Sequence, residues 1–354
     1  MEDTRGNIKQ KKGGYHVRYF VGSDLHSRNT ILGLLDEEGN RIYKVKVANF
    51  LPLILNELEP FRGGIEGVVV ESTFNWYWLV DGLVEASYKV HLANPSAIKQ
   101  YEGLKHRDDY HEAFHLANLL RLGILPEGHI YPKKERAIRD LLRKRLMLVR
   151  QRTSHILSFQ GLYNRQTGCW LGGNDVKKLG EDDIDELFDE DYVALSAKAN
   201  ISTMRFLKRE ICEIERVVLS AMKLLPEFQK LKTVTGVGDI LGLTISLETG
   251  DIRRFAKVGN YSSYCRCVSS QRLSNEKKKG EGNRKNGNKY LAWAFVEAAN
   301  YAKRYCSYAR RFHQRKTAQT NKIVAIKALA HKLARASYFV MRDRVDYDPM
   351  KAFG

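Results

Sequence analysis

The stretch RDDYHEAFHLANLL, residues 107–120, carries two kinds of chemistry at once. Read as His-Glu-x-x-His, residues His111, Glu112 and His115 form the helical signature of a zinc peptidase, with both histidines on one face. Read for its carboxylates, the same helix presents Asp109 and Glu112 three residues apart on one face, as oxygen donors for a hard divalent ion. The zinc reading needs a third ligand, and no motif marks one; Glu127 and Glu135 are merely downstream glutamates. A five-residue pattern with two free positions also arises by chance in a chain of 354 residues. The carboxylate reading finds company elsewhere. Asp24 ends the apolar run in FVGSDLH, and Glu71 ends VVVES. If those runs are adjacent strands, both side chains reach one edge of a sheet. Four carboxylates at one place suit two Mg²⁺ ions, which can clamp the attacking and leaving oxygens of a phosphoryl transfer.

The elements that must position these residues follow from the hydrophobic pattern. VRYFVGSDLH reads as a strand, and TILGLLDEEGNRIYKVKV as two strands joined by a turn at Gly-Asn. NFLPLILNELEPF has helical spacing, EGVVVES is a short buried strand, FNWYWLVDGLVEAS an aromatic helix and KVHLANP a further strand. This order is that of an RNase H-like (RuvC-like) mixed sheet: a three-stranded antiparallel meander, then parallel strands on the other side of the first. The helix of residues 108–122 follows, stopped by GILPEG.

Residues 132–165 read as one long helix whose polar side carries Arg136, Arg139, Arg143, Lys144, Arg150 and Arg152, either a solvated face or one that tracks phosphates. Residues 166–190 are rich in Gly and Asp and read as a linker. Residues 192–230 form another long helix, with apolar positions at Ile201, Met204, Leu207, Ile211, Ile214, Val218, Ala221 and Leu225 in steps near three and four, as in a coiled coil. A helical hairpin with residues 132–165, within or between subunits, is the simplest use. From residue 231 the chain changes character. LKTVTGVGDILGLTISLETGDIRRF sets Gly236 and Gly238 between two apolar helices, a helix-hairpin-helix pattern whose amides can receive a phosphate. A polar basic loop, SSQRLSNEKKKGEGNRKNGNKYL, lies between two helical segments. The expected class is therefore α/β plus all-α. Its domains are an RNase H-like domain over 1–130, a long-helix coiled-coil insertion over 131–230 and a helical C-terminal domain over 231–354.

Composition narrows the partner. With 59 Lys and Arg against 41 Asp and Glu, the formal charge is +18, which suits a polyanion, since each cation placed at a phosphate releases a counterion. Hydrophobic residues make up 43%, enough for a globular core. No stretch approaches the roughly 20 apolar residues of a bilayer span. The first residues have charges with no apolar run after them, so neither a membrane anchor nor a signal peptide is expected. Five scattered cysteines fit reduced thiols in the cytoplasm.

Taken in order, the motifs resemble a family. VGSD on the first strand, VVVES on the fourth and DYHEAFHLANLLRLG on the helix are similar to the DEDD transposases of the insertion sequence one-ten family, relatives of the Piv invertase and of RuvC-type resolvases. That helix motif usually reads Asp-x-x-Asp-Ala. Here Asp109 takes the first position, with Asp108 as the alternative, and Glu112 the second. The C-terminal half resembles the family's second domain, which usually reads Ala-Gly-Leu-x-Pro, a short loop and Ser-Gly. Here Arg266 replaces the Gly, Ser269 the Pro, and Asn275 follows the serine.

The resemblance implies a metal tetrad of Asp24, Glu71, Asp109 and Glu112. It implies a nucleophilic serine at Ser274, with Ser269 and Ser270 nearby, and phosphate contacts from Lys277, Lys278, Lys279, Arg284 and Lys285. With Gly236, Gly238, Arg143 and Arg150 these are the expected nucleic-acid contacts. It further implies strand exchange through a phosphoserine–DNA ester, target and donor DNA as partners, a bridge RNA that specifies them, a homo-oligomer (dimer or tetramer), and a composite site made when the domains dock. The rivals are a RuvC-like junction nuclease that uses water, a nucleic-acid-binding protein without activity, and the zinc peptidase.

Overall fold

The computed structural model describes residues 17–98, 109–222, 226–268, 271–274, 277–281 and 286–353. The chain divides into two compact units between Ile130 and Tyr131.

In the first unit, β1 (Tyr19–Leu25), β2 (Asn29–Asp36) and β3 (Arg41–Ala48) form an antiparallel meander. After α1 (Leu51–Leu58) and a 3-10 turn, β4 (Ile65–Glu71) runs parallel to β1 on its other side. After α2 (Tyr77–Glu85), β5 (Val90–Ala93) runs parallel to β4. The five-stranded order β3-β2-β1-β4-β5 has the sequence and senses that the apolar runs indicate, and is consistent with an RNase H-like domain. β1 and β2 are central and buried almost throughout, which explains their continuous apolar runs. β3 is the edge strand, and Lys44 and Lys46 leave its open face polar.

The strand pleat sends alternate residues to opposite faces. On one face Val21, Leu32, Leu34, Val68 and Val70 pack against Ile54 and Leu58 of α1 and Leu79, Val80 and Leu83 of α2. On the other lies α3 (Asp109–Arg121). There, Gly22 of β1 pairs across the strands with Gly33 of β2, leaving a patch of sheet without side chains. α3 sinks onto that patch. A Cβ built on Gly22 would stand 1.8 Å from the Ala113 carbonyl oxygen and 2.8 Å from the Ala117 nitrogen, and one on Gly33 would stand 2.9 Å from the Phe114 ring. Phe114 and Ala117 then close a small core with Leu35, and Leu116 another with Val69 and Ala93.

The second unit opens with α4 (Lys133–Thr167), 35 residues long, and α7 (Asp191–Met222), 32 residues long. They pair within the chain and antiparallel: His155 bonds Asn200, Arg145 bonds Glu215, and Leu142 shares a cluster with Val218. Ile201, Met204, Leu207, Ile211 and Val218 are buried as their spacing requires. The phase then slips: Ala221 is exposed and Met222 takes the inner position. Leu225 lies outside the described residues.

The segment 166–190 is more than the expected linker. It holds α5 (Gly173–Val176) and α6 (Asp182–Leu187), and Val176, Ile184 and Phe188 seal the hairpin tip against Ile156, Phe159 and Leu162. Its Gly and Asp content masked those regularly placed apolar residues.

α8 (Pro226–Leu231) and α9 (Asp239–Thr249) make the helix-hairpin-helix. A 3-10 turn, Ile252–Arg254, leads to α10 (Val258–Tyr264). The expected polar loop instead contains a two-stranded ribbon, β6 (Gln271–Ser274) and β7 (Lys277–Glu281). Then come α11 (Lys289–Tyr305), α12 (Ser307–Gln319), α13 (Lys322–Asp343) and α14 (Pro349–Phe353). Alanines let these helices approach closely: Ala294, Ala298, Ala299 and Ala302 of α11 are buried with Ala330 and Ala334 of α13. Gly236 fits the same scheme. Its φ is +95°, and a Cβ there would lie 2.2 Å from the Ala298 carbonyl oxygen. Gly238 has open space around it.

Because backbone oxygen cannot move aside as a flexible side chain can, Gly22→Ala and Gly236→Ala should each cost about 3 kcal/mol or more. Gly238→Ala should cost less than about 1 kcal/mol. Urea unfolding of the full chain, monitored for the unit concerned, measures the contrast.

Candidate metal centre and nucleic-acid surfaces

Gly22 faces α3, so Asp24, two residues on, faces the same way at the end of β1. Val69 packs toward α3, so Glu71 does likewise at the end of β4. Ser23 pairs with Val70, which makes Asp24 and Glu71 next in register. Asp109 and Glu112 occupy the first turn of α3, where the helix dipole favours negative charge. The seating of Ala113 on Gly22 brings that turn to the same sheet edge. All four carboxylates of the expected tetrad therefore gather in one place, each acting electrostatically on at least one other.

The centre is electrostatically tense. Asp24 is 2% exposed, and its Oδ2 makes no hydrogen bond. Burial, against the relief from His26, and then the charges of Glu112 and Asp109, push its pKa up to about 6. Burial also raises Glu71, reinforced by Asp24 and Glu112. A repelling cluster of oxygen donors gathered about one buried carboxylate is what a hard divalent cation relieves, so these residues fit such an ion. Asp108, the alternative to Asp109, lies outside the described residues.

One member escaped the sequence reading. His26 Nε2 lies 3.2 Å from Asp24 Oδ2 and 3.5 Å from Asp109 Oδ2. Asp24, His26 and Asp109 are the group whose ligand atoms lie within 4.8 Å of one another among the described residues. Glu71 and Glu112 stand outside that inner group. The signal was present in SDLH: residues 24 and 26 share a face wherever the strand continues. His111 is exposed and His115 half-buried, and neither joins a metal-ligand group among the described residues.

In the second unit Ser274 ends β6, its Cα paired with that of Lys277 in β7; Lys278 and Lys279 follow in the same strand. Lys277 is exposed. Ser269, Ser270, Asn275, Arg284 and Lys285 lie outside the described residues. The roots of the ribbon are tied together. Asn288 donates from its backbone to the Tyr264 carbonyl and caps α11 through its side chain, while Arg266 donates to the Gly287 carbonyl. Arg266 has φ +54°, a left-handed conformation that a glycine adopts without penalty.

Two expectations on α4 need correction. Arg136 and Arg139 are buried, with Arg139 stacked 3.8 Å over the Tyr131 ring. Arg143, half-buried, is engaged within the protein. Its Nε and Nη2 donate to Glu248 at 2.5 and 2.7 Å, and Asn288 donates to the same carboxylate at 2.7 Å. Glu248 of α9 is 1% exposed, so it requires that countercharge. Burial alone would lower the pKa of Arg143, but the bond to Glu248 holds it above the ordinary value. Arg150 is exposed, as a phosphate contact must be.

A larger basic surface was missed. From Ala298 to Arg342 the chain has eleven Lys or Arg and no Asp or Glu. Arg310 is used internally, donating to the Lys303 and Arg304 carbonyls at the end of α11. Arg304, Arg311, Arg315, Lys322 and Lys327 are exposed and make no ion pair among the described residues, and Tyr301, Tyr305 and Tyr308 are exposed among them. Cations interleaved with aromatic rings can hold phosphates and stack bases. A running charge count would have found this stretch.

Residues 228–314 match the Transposase IS116/IS110/IS902 family, and residues 21–164 match a DEDD transposase domain of the IS110 type. The second match spans the strands and helix that bring the tetrad together, and points to divalent metal dependence. No curated protein matches the chain.

This geometry has two measurable outcomes. An aspartate whose folded pKa lies above its ordinary value binds more protons folded than unfolded, so stability falls as pH rises from about 4 to about 6. In EDTA, Asp24→Asn should therefore match the wild type near pH 4 and exceed it above pH 6, by up to about 3 kcal/mol, in thermal unfolding. Replacing Arg304, Arg311 and Arg315 together by Ala should weaken DNA binding and lower the slope of log affinity against log salt by up to about 3.

Proposed function

We propose that this chain, a DNA transposase carrying both domains of the IS110 family, breaks and rejoins the DNA of its insertion sequence through a covalent ester at Ser274. The observation that carries the reading is the convergence of Asp24, Glu71, Asp109 and Glu112 about a buried carboxylate oxygen that makes no hydrogen bond.

Asp24, Glu71, Asp109 and Glu112 would hold two Mg²⁺ ions, which when bound stabilise negative charge on the oxygens of the reacting phosphate. The Ser274 hydroxyl oxygen forms a bond to the scissile phosphorus. The bond from phosphorus to the 3′ oxygen breaks, and the serine proton is made good on the departing 3′ oxygen. The product is a phosphoserine ester and a free 3′ hydroxyl. Because the ester conserves the phosphodiester bond energy, attack by another 3′ hydroxyl rejoins strands without ATP. Lys277, Lys278, Lys279, Arg284 and Lys285 hold the flanking phosphates. At the helix-hairpin-helix, Gly238 is the place for a phosphate, since Gly236 is spent on the contact with α11.

A bridge RNA selects the target and donor DNA in this reading; the +18 charge and the acid-free run from Ala298 to Arg342 give RNA as well as DNA a surface. The protein acts as a homo-oligomer, a role for which Trp170, Tyr192 and Leu195, all exposed near the hairpin tip, are suited. It works in the cytoplasm, where its DNA lies. No described helix is long and apolar enough to cross a membrane.

A nicked suicide substrate, which lets the cut end diffuse away, tests the chemistry. The wild type should accumulate a protein–DNA adduct that peptide mass mapping places on Ser274. Ser274→Ala should form none yet bind DNA nearly as well, because the hydroxyl carries no charge. Asp24→Ala should also form none. Metal-dependent cleavage without adduct, persisting in Ser274→Ala, would hand the reaction to water and make the protein a junction nuclease.

A further inference from the structure

The inner group of the metal centre contains a histidine, and its surroundings are built to keep it there. Around His26, two asparagines from different elements converge on one backbone carbonyl: Asn49 Nδ2, after β3, and Asn75 Nδ2, after β4, each donate to the His26 oxygen at 2.9 Å. Both amides are themselves oriented, Asn49 by the Thr30 hydroxyl at 2.7 Å and Asn75 by the Thr73 hydroxyl at 2.9 Å. The His26 N–H donates to the Asn29 carbonyl at 3.0 Å. The backbone of this residue is thus pinned by β2 and by the segments after β3 and β4. Its ring is left to point at the carboxylates. Nε2 makes no hydrogen bond, although it lies 3.2 Å from Asp24 Oδ2, which makes none either and belongs to a residue only 2% exposed.

We propose that His26 is a direct nitrogen ligand of the divalent metal, completing an inner set of Asp24, Asp109 and His26. Two ligand atoms, one from a carboxylate and one from an imidazole, lie 3.2 Å apart with no hydrogen bond between them, the spacing of neighbouring ligands on one cation. A residue that served only to neutralise Asp24 would gain from a hydrogen bond to it, and none is made. A backbone pinned from three elements also holds the point from which the ring reaches the site, as the support of a metal ligand does. The consequence is selectivity. An all-oxygen tetrad accepts Mg²⁺ and Mn²⁺ alike, whereas an imidazole nitrogen adds a preference for the transition ion.

The assignment rests on the metal-binding reading of the tetrad and is independent of the serine chemistry. Its test uses the full chain without DNA, with Mn²⁺ and Mg²⁺ as probes. Pulsed electron paramagnetic resonance of the Mn²⁺-loaded wild type should show coupling to a histidine nitrogen, and His26→Ala should lose it. The same variant should bind Mn²⁺ about 10- to 100-fold more weakly. It should bind Mg²⁺ with a smaller loss, so that the ratio of the two affinities falls. Folding is not at risk, because the pinning bonds go to the backbone. Nitrogen coupling that is absent from the wild type, or that survives in His26→Ala, overturns the proposal; so does an equal loss for both ions, which describes a positioning role. Asp24→Asn separates the two readings. If it abolishes Mn²⁺ binding while His26→Ala leaves it unchanged, the carboxylate site stands and the histidine ligand falls. If Asp24→Asn binds Mn²⁺ like the wild type, the metal reading of the tetrad falls as well.

Discussion

One backbone contact governs the carboxylate cluster: the carbonyl of Ala113 resting on Gly22, with Gly33 clearing the space beside it. Helices normally pack on sheets at a distance set by side chains. Here the sheet offers none at the contact, so α3 comes closer, and its first turn arrives level with the end of β1. The carboxylates of Asp109 and Glu112 have no intrinsic reason to approach Asp24 and Glu71, and their charges oppose it. Packing over Phe114, Leu116 and Ala117 holds them against that repulsion. The raised pKa of Asp24 records the opposition. A cation entering the site would recover the stability given up there, an arrangement common at functional sites.

The second unit uses the same device for a different end. Gly236 accepts the backbone of α11 at Ala298 as Gly22 accepts that of α3 at Ala113. This unit also has a polar core. Glu248, deeply buried on α9, is satisfied at once by Arg143 from α4 and by Asn288 at the head of α11. Asn288 also caps α11 and holds Tyr264, so the long helix, the helix-hairpin-helix and the return from the ribbon of Ser274 are tied at one carboxylate. Removing Arg143 would leave the buried charge of Glu248 without its countercharge, the costly case for such pairs.

The sheet was legible because β1, β2 and β4 are buried on both faces and read as unbroken apolar runs; Asp24 and Glu71 stood out as charges that end such runs. The helix of Asp109 and Glu112 was legible from its spacing. Other features were hidden for identifiable reasons. Arg139 and Arg143 looked like a solvated face because a one-dimensional pattern cannot display that the chain folds the Tyr131 ring under the one and Glu248, over a hundred residues on, against the other. The fold of residues 166–190 was obscured by composition. His26 was passed over because its importance depends on Asn49 and Asn75, two amides with no signature of their own. Arg266 is a case where sequence and structure inform each other. It departs from the family's glycine, yet keeps a glycine-like backbone and adds a bond to Gly287. A left-handed conformation at a non-glycine residue costs about 1 kcal/mol, which that bond offsets.

The paired helices α4 and α7 have a mechanical meaning that their packing alone does not state. At 1.5 Å per residue, the 35 residues of α4 span about 50 Å. Antiparallel pairing with α7, and the sealed tip of Val176, Ile184 and Phe188, make the pair a strut rather than a tether. A strut fixes a distance. Whatever is held at its tip stands about 50 Å from the root at Lys133, the length of about fifteen base pairs of duplex at about 3.4 Å each. A protein so built carries its own ruler: lengthening α4 and α7 by equal whole turns would change its reach in steps of about 5.4 Å while every contact at root and tip stayed as it is.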